Sequence, residues 1–228
     1  MMNKRIAIPA IGVLTVLVLM VLFNFGTTSR TAAAEDFASK FAADTKFTAE
    51  EMQGNYDIDT RHSYIGFKIR HFGITDVPGS FRDFSGTINY DPKGISKSSV
   101  NFTAKVTSID TGVAPRDNHL RSADFFEVEK YPEMTFKTTK VEKKGKDFVV
   151  HGDLTLKGVT KQVAIPFTIN GIIKDAQGNM KMGISAETMI NRQDYGVKWQ
   201  NKLPDGTLAL SDNVKIDLEL ETAMKKKQ

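Results

Sequence analysis

The chain has 228 residues, of which 40% are apolar and 25% charged, enough to bury the core of one ordinary domain with extensions. It contains no cysteine, which excludes disulfides, thiolate nucleophiles, cysteine-based zinc sites and a lipid-modified N-terminal cysteine. The net charge of +4 does not describe a nucleic-acid surface: Lys4, Arg5 and Arg30 lie in residues 1–34 with no acid, so the remainder is close to neutral at +1, and no counterion-release argument survives.

In chain order, Lys4 and Arg5 precede an uncharged run from Ile6 to Phe23. Residues 1–26 therefore read as an export signal or a transmembrane anchor. Ala32, Ala33 and Ala34 suit a signal cleavage site. The length favours the anchor, because residues 6–25 would span about 30 Å as a helix. With Lys4 and Arg5 on the cytoplasmic side, everything after residue 26 is expected beyond the inner membrane, in the periplasm. Residues 27–54 read as a linker, in which Phe37 and Phe41 sit four apart among alanines and suggest a short amphipathic helix.

From residue 55 to 224 the hydrophobic period is 2. Ile65, Phe67, Ile69 and His71 share one face, opposite Lys68 and Arg70. Phe84 and Ile88 alternate in the next run, followed by Phe102 and Val106 in "SVNFTAKVT". Phe136, Leu154 and Leu156 continue the apolar face through two further runs. Phe167 and Ile169 follow, then Met182 and Ile184, then Val214, Ile216, Leu218 and Leu220 against charged neighbours. "DPKG", "KKGK", "LKGVT", "DAQG" and "LPDG" supply turns between these runs. The pattern predicts an all-β fold of about eight antiparallel strands, closing into a barrel, with a β-sandwich as the alternative. Pro166 inside a strand predicts an edge or a bulge there, and Gly66, Gly86, Gly152 and Gly171 predict bends or close backbone approaches. Residues 225–228 form a basic tail.

Two polar segments interrupt the pattern. "PRDNHLRSADFF" holds Arg116, Asp117, His119, Leu120, Arg121, Asp124, Phe125 and Phe126. Pro115 suits a first helical turn, and Asp117 with Arg121 forms an i, i+4 pair worth only about 0.3–0.5 kcal/mol when exposed. Burial of each phenylalanine is worth about 1.5–3 kcal/mol, so the segment is expected to be a short helix and aromatic turn that close one barrel end. "NRQDYGVKWQNKLPDG" holds Arg192, Asp194, Tyr195 and the single tryptophan, Trp199. It is expected at the barrel mouth, stapled by an arginine–aspartate pair. Phosphate-loop, nucleophile-elbow and zinc-protease motifs are missing. The four histidines lack metal-ligand spacing, so neither a metal nor a catalytic residue is assigned. His71 is expected as a hydrogen-bonded interior histidine and His151 as a solvated one.

Taken together, "YDIDTRHSYIGFKIRHFG", "GSFRDFSGTINYDP", "DTGVAPRDNHLRSADFFEVEKYPEMTF", "GDLTLKGVTKQVAIPF" and "NRQDYGV", in this order, resemble the YceI-like family of exported bacterial proteins. The resemblance runs from about Gly54 to Thr222. It implies an extended lipocalin-like antiparallel barrel that binds a long amphiphile, such as a polyisoprenoid, an isoprenoid quinone or a fatty-acid derivative. It further implies a homodimer, no enzyme activity and no cofactor beyond such a ligand. Three functions follow as expectations: a non-catalytic lipid carrier, an enzyme using His71 or His119 as acid–base, and an interaction module with a filled barrel. For the first, the expected lining is Ile65, Phe67, Ile69, His71, Phe84, Ile88, Phe102, Val106, Phe136, Leu154, Leu156, Phe167, Ile169, Met182 and Ile184.

Overall fold

Alternation of β-branched and aromatic residues with charged ones, cut by glycine turns, gives half-buried antiparallel strands. The computed structural model describes residues 47–145 and 147–225. The signal or anchor, most of the linker with Phe37 and Phe41, and residues 226–228 of the tail lie outside them. Among the described residues no helix is long and apolar enough to cross a membrane.

A short helix, α1 (Ala49–Met52), leads into β1 (Gly54–Ile58). Thr48 and Glu51 cap α1 reciprocally. The remaining strands are β2 (Tyr64–His71), β3 (Thr75–Phe81), β4 (Phe84–Tyr90), β5 (Ser99–Lys105), β6 (Ile109–Asp110), β7 (Glu133–Lys144), β8 (Asp147–Leu156), β9 (Val159–Lys174), β10 (Met180–Asn191) and β11 (Leu210–Met224). Helix α2 (Ala114–Arg121) follows β6. All strands belong to one antiparallel sheet.

The closed ring has the eight strands expected, but not the expected eight. Its order is β1-β4-β5-β7-β8-β9-β10-β11, with β1 returning to β11. β11 is long enough to serve two partners: Thr222 to Met224 close the ring on β1, whereas the stretch before it pairs with β2 from Leu210↔His71 to Glu219↔Tyr64. β2, β3 and β6 therefore form a flap that widens one end. The period-2 reading counted β2 as a wall strand and passed over β1, β3 and β6, which are short or carry few apolar residues.

Three core clusters result. One lies beneath the flap and α2, centred on Ile58, Ile65, Phe81, Phe84, Val106 and Ile109. A second fills the narrow end around Tyr56, Ile88, Ile172, Met180 and Met182, where Phe47 and Met52 pack against it. Tyr56 is wholly buried and donates its hydroxyl to the Met52 carbonyl at 2.7 Å, and burial pushes that phenol up to about 12. The last stretch of the expected linker is thus docked on the barrel. The third cluster, Phe136, Val141 and Val150, lines one wall. There Gly152 lets the Phe136 ring lie flat on the backbone: a Cβ would meet its Cζ at 2.4 Å.

Candidate functional site: an apolar cavity with a polar end

The barrel is not filled. A cavity of about 450 Å³ runs along its axis, within the range of roughly 300–1,000 Å³ usual for ligand sites. Many inward apolar side chains, among them Phe67, Phe102, Leu154 and Leu218, are only half-buried because they face the cavity rather than other side chains. On β10 alone, Met182, Ile184, Ala186, Thr188 and Ile190 line it in succession, about 27 Å along the strand.

Of the expected lining, Ile65, Phe67, Ile69, His71, Ile88, Phe102, Phe136, Leu154, Leu156, Phe167, Ile169, Met182 and Ile184 all stand on the cavity wall. Phe84 and Val106 do not. They share the inward face, but the flap and α2 fill the space there, leaving Phe84 7% and Val106 1% exposed. Val214, Ile216, Leu218 and Leu220 were legible as an apolar face and also line the cavity. Thr111, Leu210 and Val77 carry no signal in the sequence: Val77 lies on β3, which has few apolar residues, Thr111 lies in the loop after β6, and Leu210 begins β11 ahead of its alternating run.

Charged and imidazole groups gather at the flap end: His71, Arg116, His119 and Arg192, with Thr111 and Trp199. Opposite them the polar wall residues are uncharged: Tyr90, Ser98 and Ser99. Pro115 does sit in the first turn of α2. The expected Asp117–Arg121 pair does not form. Asp117, buried, accepts from the Thr111 amide at 3.0 Å and from its hydroxyl. Arg116 donates to Thr111 Oγ1 at 2.7 Å and to its carbonyl at 2.8 Å. Arg121 donates to the Thr107 and Ile109 carbonyls, both at 2.7 Å. Helix α2 packs beside the Thr107 carbonyl, in the turn before β6, and the Ile109 carbonyl of β6, and these tertiary acceptors outcompete the exposed helix pair.

His119 Nε2 meets Asp124 Oδ2 at 2.8 Å. Its ring stands edge-on to Phe125 and Trp199, with centroids 5.0 and 5.5 Å away. Phe125 is buried, whereas Phe126 packs on Phe81 at 6.3 Å. Both phenylalanines also reach the cavity wall. His71 lines the cavity, but its imidazole has no hydrogen-bond partner among the described residues, contrary to expectation; only its backbone is bonded, the carbonyl accepting from the Ile74 amide at 3.1 Å. Its ring lies 4.1 Å from that of Phe72.

The staple of the second segment is Arg192 with Asp212, at 3.5 Å, not with Asp194, which is exposed. Arg192 also donates to the carbonyls of Ser211, Val197 and Trp199 at 3.0, 2.7 and 2.8 Å. Burial pulls its pKa down, and the Asp212 carboxylate opposes this. Tyr195 is buried at 1% exposure and pushed up to about 12, by burial first and by Asp194 second.

Two histidines lie outside the cavity, and the first departs from expectation. His151 is paired rather than merely solvated, its Nε2 3.0 Å from Glu142 Oε1. His62 joins Asp59, three residues before it, and Glu221, brought in by β11, in a cluster of ligand atoms within 4.8 Å of one another. The Lys181 ammonium is its counter-ion, 2.5 Å from Glu221 and 3.9 Å from Asp59.

The closed ring, its flap and the capped cavity can be set beside known proteins. The model of the YceI-like domain matches residues 56–222. The chain belongs to the YceI-like family. Protein YceI of Escherichia coli O157:H7 is 42% identical over 149 residues, covering 64% of this chain and 78% of that protein. The crystal structure of the Campylobacter jejuni YceI protein superposes with a TM-score of 0.61 at 34% identity, covering 70% of this chain and 91% of that one. A polyisoprenoid-binding domain from Saccharophagus degradans, implicated in plant cell wall breakdown, superposes with a TM-score of 0.58, covering 75% of this chain and 98% of that domain. At 16% identity the last likeness is one of fold.

Proposed function

We propose that this YceI-like chain is a non-catalytic carrier of a long amphiphile. The hydrocarbon tail lies along the apolar cavity, and a head rich in hydrogen-bond acceptors lies against Arg116 and His119. The observation that carries this reading is an elongated cavity, apolar along its length and cationic at one end only. Each buried methylene contributes about 0.8 kcal/mol, so a polyisoprenoid, an isoprenoid quinone or a fatty-acid derivative needs few polar contacts to bind tightly. The family and the polyisoprenoid-binding neighbour of the same fold support the choice of ligand class. The charge and hydropathy of residues 4–25 support a location beyond the inner membrane, anchored or released, and a tethered carrier would stay near a membrane source of lipid. A homodimer belongs to the same reading.

Native mass spectrometry and organic extraction of the protein from a bacterial host test it. A co-purifying amphiphile, or uptake of quinones or polyprenols by the stripped protein, is the expected outcome. Ala186→Trp places an indole inside the cavity without removing an apolar wall group, and should abolish uptake while leaving the barrel folded. A protein that stays empty and takes up neither class would overturn the proposal.

A second reading, acid–base chemistry on a bound lipid, rests on one observation: His119 lines the cavity and is held by Asp124. Under the carrier reading His119→Ala leaves the extracted lipid chemically unchanged. Conversion of a bound lipid by the parent protein, lost in His119→Ala at unchanged thermal stability, would favour the enzyme.

A further inference from the structure

The β9–β10 ladder runs from Met180↔Lys174 to Ala186↔Phe167 and stops. Yet β9 begins at Val159 and β10 continues to Asn191. On its other side β9 stays paired with β8 from Val159 through Phe167 without irregularity. The barrel wall therefore contains regular strand with an unpaired edge facing β10.

Pro166 accounts for the position of this seam. Main-chain groups of successive strand residues point to alternate edges. The Ala164 carbonyl faces β10, because it accepts the Thr188 hydroxyl at 3.3 Å. Pro166, two residues on, faces the same way and has no N–H to give. Continued by one pair, the register would set Pro166 against Glu187, and that donor is missing. The inner sides of the seam, Val163 and Ile165 on β9 with Thr188 and Ile190 on β10, all line the cavity. Its outer lip carries exposed Ala164, Pro166 and Met189, the last 59% exposed. Side chains also pack across both ends of the barrel: Tyr56, Met180 and Met52 of α1 at the narrow end, and Phe125, Trp199 and the loop held by Arg192 at the other.

We propose that this seam is a side portal through which the tail of the bound amphiphile enters and leaves, with Pro166 keeping the wall unzipped. The idea rests on the carrier reading and adds the route. Pyrene-labelled palmitate is loaded into the protein, and its transfer to phosphatidylcholine vesicles carrying an energy-transfer acceptor is followed in time. Pro166→Val restores a ladder donor and should slow transfer about ten-fold, the scale of one or two added ladder bonds, without changing how much probe is bound. Thr188→Ala removes the bridging hydroxyl and should speed it. In a second variant Pro166→Cys and Glu187→Cys are combined. The parent has no cysteine, and facing strand residues have the Cα separation a disulfide accepts. Oxidation should stop transfer and reduction restore it. Transfer at the parent rate from the oxidised pair would overturn the portal while leaving the carrier reading intact. Failure of the parent to load this probe, a quinone or a polyprenol would overturn both.

Discussion

Arg192 shows how much one side chain can hold. Its guanidinium is buried, yet all its acceptors are backbone carbonyls or Asp212, so it ties the 197–199 strap to the start of β11. Arg192→Met would leave three carbonyls without their donor, at about 1–3 kcal/mol for each group left buried. A loss of at least about 3 kcal/mol in urea unfolding is expected. Arg192→Lys should recover little, because an ammonium cannot reproduce the fork. Asp59 is the second such residue. Its carboxyl lies below the ordinary 3.8, chiefly through the His62 hydrogen bond and also through the Arg61 amide and nearby charges. A lowered folded value means that its contribution is complete above 3.8 and fades as pH falls through the folded value. The thermal midpoint should therefore drop on acidification below about pH 4, and Asp59→Asn should start lower at neutral pH and lose less. Equal acid slopes in the two proteins would show that Asp59 is not a source of the loss.

Elements decide which inward residue becomes cavity and which becomes core. Phe84 and Phe102 lie 6.2 Å apart, but Phe84 is sealed under the flap, whereas Phe102 reaches the cavity. Alternation along one strand is a local property and was legible. The flap is a pairing of β2 with the first half of β11, and no local signal marks where a long strand changes partner. Gly152 is legible only in part, since a mid-strand glycine announces a close approach but not its partner. A side chain there would meet Phe136 at 2.4 Å and the Lys137 carbonyl at 2.6 Å. Gly152→Val should cost about 1–3 kcal/mol or more. Phe136→Leu added to it should recover only part in denaturant titration, because the carbonyl clash remains. The Asp117 and Arg121 partners were misread because i, i+4 spacing is visible in sequence and long-range carbonyl acceptors are not.

For the whole molecule, the unfilled barrel predicts that stability follows ligand. A tail that binds only the folded state should raise the midpoint of the stripped protein by an amount that grows with ligand concentration, measurable by calorimetry with a long polyprenol. Ala186→Trp should show no such rise. The sequence by itself determined the all-β class, a barrel of about eight strands, the two polar segments that interrupt it, and most of the apolar wall. These follow from side-chain period and turn chemistry, which act over a few residues. Only the tertiary structure decided that β1 closes the ring, that the interior stays open, that Arg192 pairs with Asp212, and that β9 and β10 part at Pro166. Each depends on distances between residues far apart along the chain. Periodicity says which way a side chain points, and only closure of the sheet says what stands opposite it.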